Sequence, residues 1–154
     1  ISAKLVEMGV DVIEEDNYVI VSRRGPLDRV NIKTQPYPGF PTDLQSVLMA
    51  VLSVSSGLSL LEEKIFEARF QTVPELRRMG ASIQQGEAFA LIEGKERLLG
   101  TDVKAEELRG GAALIMAAVA AEGKSRISGM EYVHRGYEDI QGDLKKLGVV
   151  VNYS

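Results

Sequence analysis

Apolar residues recur along this chain at two periods, and the switches between them lay out its elements. Leu44, Val47, Leu48, Val51 and Leu52 fall at i, i+3, i+4, i+7 and i+8, one face of a helix that begins at Asp43 and that Gly57 closes. Residues 107–121 carry Ala, Ile, Leu, Met and Val on every side, which predicts a helix buried all round and ended by Gly123. Shorter helices are predicted to end at Met8-Gly9, at Met79-Gly80 and, for residues 138–147, at Gly148. The second of these has Thr72 as its cap and Pro74 in its first turn. Residues 10–13 and 18–21, turning at Asp16-Asn17, read as a hairpin, as do 81–83 and 89–92. Single strands are predicted at 30–33, 58–65, 99–104, 125–127 and 149–151.

One ending occurs three times. Leu5-Val6-Glu7-Met8-Gly9-Val10, Leu76-Arg77-Arg78-Met79-Gly80-Ala81 and Leu144-Lys145-Lys146-Leu147-Gly148-Val149 are copies of a helix-to-strand junction. Their glycines recur at intervals of 71 and 68 residues. The unit between them is strand, buried helix, strand, amphipathic helix, hairpin. The expected fold class is therefore α/β: a pseudo-symmetric domain of repeated βαβαββ units, with buried central helices and small outer sheets.

Residues 35–45, Gln35-Pro36-Tyr37-Pro38-Gly39-Phe40-Pro41-Thr42-Asp43-Leu44-Gln45, interrupt both periods. Three prolines within six residues fix φ three times and push the residues before them into extended conformations. This stiff loop delivers the chain into the first long helix. Thr42 and Gln45 have capping-box spacing, which predicts Thr42 as N-cap and Asp43 as the first helical residue, its carboxylate favoured by the helix dipole.

Composition narrows the function classes. The chain has 154 residues, 45% hydrophobic and 26% charged, enough for one domain with a real core. A net charge of −4 argues against a nucleic-acid or membrane-surface protein. There is no cysteine and only one histidine, His134, so no disulfide framework, thiolate nucleophile or metal site is expected. The longest apolar run, residues 112–121, is far short of the roughly 20 residues that span a bilayer. An opening at Ile1, in what reads as mid-helix, suggests an excerpt of a longer protein.

The wording of the proline loop resembles that of the enolpyruvyl transferases, in the branch whose acceptor is UDP-N-acetylglucosamine. The resemblance continues, in order and at the family's spacing, through Phe66-Glu67-Ala68-Arg69-Phe70, Val73-Pro74-Glu75-Leu76, Leu108-Arg109-Gly110-Gly111-Ala112-Ala113-Leu114 and Arg135-Gly136-Tyr137-Glu138. It implies two domains, each of three repeated units, with the active site in the cleft between them. Residues 1–154 would be most of one domain, inactive alone, with the partner domain and the first part of the protein absent. It also implies a cytoplasmic enzyme that moves the enolpyruvyl group of phosphoenolpyruvate to the 3-hydroxyl of UDP-N-acetylglucosamine, with no cofactor, in the first committed step of peptidoglycan synthesis. The alternatives are enolpyruvylshikimate-phosphate synthase, whose loop lacks the Tyr-Pro-Gly-Phe-Pro-Thr-Asp wording, and a non-catalytic nucleotide-sugar-binding domain of the same fold.

Both implied substrates are anionic, and an acidic protein binds them only where arginines converge, since the guanidinium fork holds carboxylate or phosphate through two bonds. By the resemblance, Arg109 and Arg135 bind phosphoenolpyruvate. Arg109 stands at the start of the apolar helix, where free backbone N–H groups also attract anions. Arg135 stands just before the last helix. Arg69 matches an arginine of the family's Phe-Glu-x-Arg-Phe segment, although Ala68 replaces the more usual Asn. Ile65 and Phe66 match the segment that lies against uridine and sugar. Asp43 matches the carboxylate beside the reacting hydroxyl, the position for a catalytic base. Glu107 stands where relatives often place Asp, as does His134, to which no role falls.

Overall fold

The computed structural model describes residues 1–152. The chain opens with α1 (Ser2–Glu7) and an antiparallel hairpin of β1 (Val10–Glu14) and β2 (Val19–Arg23). A complete unit follows. β3 (Ile32–Lys33) leads through the proline loop and a 3-10 turn (Thr42–Leu44) into α2 (Gln45–Leu52). Then come β4 (Leu58–Glu62), α3 (Val73–Arg78), β5 (Ser82–Gln85) and β6 (Phe89–Glu93). Their strands form one sheet in the order β3-β4-β6-β5, with β3 parallel to β4 and the other neighbours antiparallel.

The next unit repeats the plan. β7 (Leu98–Leu99) and β8 (Asp102–Lys104) precede α4 (Leu108–Ala120), and β9 (Ala121–Glu122) and β10 (Arg126–Ser128) follow it. β8 runs parallel to β10 as β3 does to β4, each pair enclosing a long helix in sequence. α5 (Met130–Val133) and α6 (Ile140–Lys146) complete the described elements.

The three repeated junctions share one geometry. Gly9, Gly80 and Gly148 have φ of 82°, 92° and 87°, a left-handed conformation that glycine adopts without the Cβ penalty. The α/β class and the repeated plan expected from the sequence are thus present.

The core forms where α2 crosses α4. Leu48, Met49 and Leu52 cluster with Ala113, Leu114 and Ala117, and Leu61 and Ile92 of the sheet and Leu76 and Met79 of α3 and its C-cap close the cluster. Burial of each larger side chain is worth roughly 1.5–3 kcal/mol. A small residue on α4 also permits the close approach of α5: a Cβ on Gly111 would stand 2.5 Å from Val133 Cγ2.

Several local expectations change. α4 is not buried all round: Met116 and Val119 on its C-terminal half are exposed. The predicted helix 43–56 is α2 at Gln45–Leu52, with Gly57 in the turn before β4 rather than at the helix end. The predicted strand 58–65 stops at Glu62, and 99–104 breaks into β7 and β8. Residues 149–151 are not a strand, because no neighbouring strand lies against them among the described residues. Thr72 precedes α3 without a side-chain capping bond. No helix among the described residues is long and apolar enough to cross a membrane.

Candidate active site

The capping box predicted at Thr42 does not form, and its failure builds the site. Thr42 is the first residue of the 3-10 turn, and its hydroxyl donates to Glu63 Oε2 at 2.7 Å. A bond to an ionised carboxylate is roughly twice as strong as one between neutral partners, so it outcompetes a local cap. Gln45, the other half of the supposed box, is fully buried, and its Oε1 accepts from the Ser46 hydroxyl at 2.9 Å. Asp43 lies in the turn rather than in the α-helix, and its side chain faces outward, 64% exposed.

Three of the residues singled out in the sequence meet at that carboxylate. Arg109 Nε donates to Asp43 Oδ1 at 2.6 Å, and Arg69 Nη2 lies 3.5 Å from the same oxygen. Two guanidinium groups thus share one carboxylate and leave a net positive charge in the cluster. Arg69 is 12% exposed, stacks over the Phe66 ring at 4.6 Å, and its buried Nε has no partner among the described residues. A cation over an aromatic face adds roughly 0.5–2 kcal/mol and fixes the guanidinium plane. Ile65 and Phe66 are exposed beside it, and Tyr37 in the proline loop is exposed as well. Exposed apolar surface next to paired arginines suits a ligand with both an apolar face and a negative charge.

Arg109 is carried on the first turn of α4, where Glu107 is the N-cap. The Glu107 carboxylate accepts from the backbone N–H of Arg109 at 2.9 Å and from that of Gly110. Those two amides are taken by the protein's own carboxylate, so anion attraction at this point comes from the Arg109 guanidinium rather than from free backbone groups. Arg135 follows α5, a short helix the sequence pattern did not show. Its guanidinium lies 5.4 Å from the Tyr132 ring centre. A Cβ on the adjacent Gly136 would come within 2.9 Å of Leu108, so Arg135 is held near the start of α4. No hydrogen bond or ion pair joins it to Asp43, Arg69 or Arg109 among the described residues.

The residue that sequence reasoning missed is Glu63. It is 2% exposed, yet charged. Its Oε1 accepts from the Thr34 hydroxyl at 2.9 Å and from the backbone N–H of Ile65 and Phe66 at 2.7 and 3.1 Å. Burial pushes this carboxyl up, but bonds from Thr42, Ile65, Phe66 and Thr34 together outweigh it and hold the group below its ordinary value. The signal was present in the strand alternation: Ser59, Leu61 and Glu63 share the inward face. No group of His, Asp and Glu fit to hold a metal occurs among the described residues.

The chain is 51% identical over 148 residues to UDP-N-acetylglucosamine 1-carboxyvinyltransferase 2 of Clostridium acetobutylicum, covering 96% of this chain and 35% of that protein. It is also 51% identical over 146 residues to UDP-N-acetylglucosamine 1-carboxyvinyltransferase of Desulfofundulus thermocisternus, covering 95% of this chain and 60% of that one. The chain thus spans between about a third and three-fifths of these relatives. The crystal structure of the enolpyruvyl transferase NikO from Streptomyces tendae superposes with a TM-score of 0.88 at 28% identity, over 98% of this chain and 35% of that one. EPSP synthase from Acinetobacter baumannii shares the fold, with a TM-score of 0.78 at 18% identity over 97% and 38%. The sequence model of the EPSP synthase (3-phosphoshikimate 1-carboxyvinyltransferase) family matches residues 1–144, and the chain belongs to that family.

Proposed function

We propose that this chain forms one wall of the active site of an enzyme that transfers the enolpyruvyl group from phosphoenolpyruvate to the 3-hydroxyl of UDP-N-acetylglucosamine, with release of phosphate, in peptidoglycan synthesis. The observation that carries the reading is the meeting of Asp43, Arg69 and Arg109 at one oxygen. The relatives at 51% identity bear the name of that activity. A second domain outside this chain supplies the opposite wall, and the whole protein works in the cytoplasm without a cofactor.

The chemistry divides between these groups. The sugar oxygen adds to C2 of phosphoenolpyruvate as C3 gains a proton. Phosphate then leaves C2 and C3 gives a proton back, restoring the double bond. Asp43 takes the proton of the attacking hydroxyl as the C–O bond forms. Arg109 and Arg135 hold the phosphate and carboxylate of phosphoenolpyruvate through charge-assisted bonds. Arg69, whose Nε has no partner among the described residues, steadies the donor side of the site, and Ile65 and Phe66 lie against uridine and sugar.

The test is phosphate release by the full-length protein given phosphoenolpyruvate and one acceptor at a time. Release with UDP-N-acetylglucosamine is expected. Release with shikimate 3-phosphate in its place, or with neither acceptor, overturns the reading.

A further inference from the structure

We propose that Glu63 is a positioning residue, whose carboxylate holds the proline loop, and with it Asp43, in register with the Ile65-Phe66 segment. The inference rests on the enolpyruvyl transfer proposed above and assigns that site a residue which touches no substrate. Both ends of the proline loop bond to this one carboxylate: Thr34 at the entry to Oε1 and Thr42 at the exit to Oε2. The same Oε1 takes the Ile65 and Phe66 amides. An ionised carboxylate has no proton to donate and room for about four donors, and four are present.

Between its two ends, at residues 35–41, the loop makes few other hydrogen bonds among the described residues. Gln35 N–H donates to the Phe40 carbonyl at 3.0 Å and Gly39 N–H to that of Pro36 at 2.8 Å, so its own bonds close it internally rather than onto β4. The Thr34 N–H to the Glu62 carbonyl, at 2.9 Å, anchors only the entry. Beyond the exit, Asp43 is the next residue after Thr42. A shift of Thr42 moves Asp43 relative to Phe66, and so alters the pairing of Asp43 with Arg69, which is stacked on Phe66. Glu63 therefore links the group that takes the proton to the segment that holds the sugar. It acts through Thr42 and through the two amides.

Two variants of the full-length enzyme test this. Glu63→Ala removes the acceptor altogether. Thr42→Val cuts only the link to the loop exit and leaves Glu63 with its other three donors. Misplacement by about 1 Å can cost about 100-fold in rate, so kcat is expected to fall by about that factor in Glu63→Ala and about tenfold in Thr42→Val. The KM for phosphoenolpyruvate, set by Arg109 and Arg135, should stay within about twofold. Thr42→Ser, which keeps the hydroxyl, should recover most of the turnover lost in Thr42→Val. Hydrogen exchange should quicken at the Ile65 and Phe66 amides in Glu63→Ala. A Thr42→Val enzyme with parental kcat, or a KM for phosphoenolpyruvate that rises as far as kcat falls, overturns the proposal. If Glu63→Ala does not fold, the threonine pair carries the kinetic test. If the parent itself releases no phosphate, the proposed reaction has failed on its own, and amide exchange still decides: quickening confined to residues 42–44 and 65–66 supports the clamp, and unchanged exchange overturns it.

Discussion

Asp43 Oδ1 accepts a hydrogen bond from Arg109 Nε at 2.6 Å across 66 residues of sequence. The proline loop brings the first residue and the start of α4 brings the second, so the packing of α2 on α4 helps to set the distance between them. The group proposed to take a proton and the group proposed to bind an anion are thereby held in contact.

Asp43 is expected to matter for turnover and little for folding. Its side chain is mostly exposed, and ion pairs of this kind are worth about 0–1 kcal/mol. Asn keeps the size and still accepts from Arg109, but it cannot take a proton. In the full-length enzyme, Asp43→Asn should lower kcat by roughly 10²–10⁴. Melting temperature and turnover measured side by side decide the matter: a stable, nearly fully active Asp43→Asn enzyme removes Asp43 from the mechanism.

Arg109→Ala and Arg135→Ala should each raise the KM for phosphoenolpyruvate more than that for UDP-N-acetylglucosamine. Arg109→Ala should also disturb kcat, because Asp43 loses its hydrogen-bond donor, whereas Arg135 has no such tie among the described residues. Steady-state kinetics with each substrate varied in turn reads the difference. Equal effects on both substrates would rule out the assignment of these arginines.

Ala113 and Ala117 are fully buried where α4 meets α2. Asp at either position brings a charge into a site without a partner, at a cost of roughly 3 kcal/mol or more. The expected drop in melting temperature is about 10 °C for a chain of this size. A drop of only a degree or two would show that the α2–α4 contact is not central.

Glu63 should make the protein sensitive to acid. Its carboxyl is held below the ordinary value of 4.5, so the native state favours the ionised form. That contribution is fully present above the unfolded value and is lost as the pH falls through the lower folded one. The melting temperatures of the parent and of Glu63→Gln should therefore differ most near neutrality and converge as the pH drops below 4.5. Parallel curves across the acid range would mean that the carboxylate does not carry this linkage.

The sequence by itself determined the repeat. Gly9, Gly80 and Gly148 end three helices with the same left-handed turn, and their spacing reveals units that are strand, helix, strand, helix and hairpin. Such signals are local: a helix end, a glycine and an apolar period each depend on residues a few positions apart. The family wording also singled out Asp43, Arg69 and Arg109 individually, from motifs far apart in the chain. Only the tertiary structure decided what those residues face. Spacing offered Thr42 a cap three residues away, and the fold gave its hydroxyl a buried carboxylate 21 residues away. Nothing local marks Glu63, because its donors come from residues 34, 42, 65 and 66. A capping box depends on local backbone geometry. A buried charge depends on everything that folds around it, because the desolvation cost is met only once all its partners have arrived.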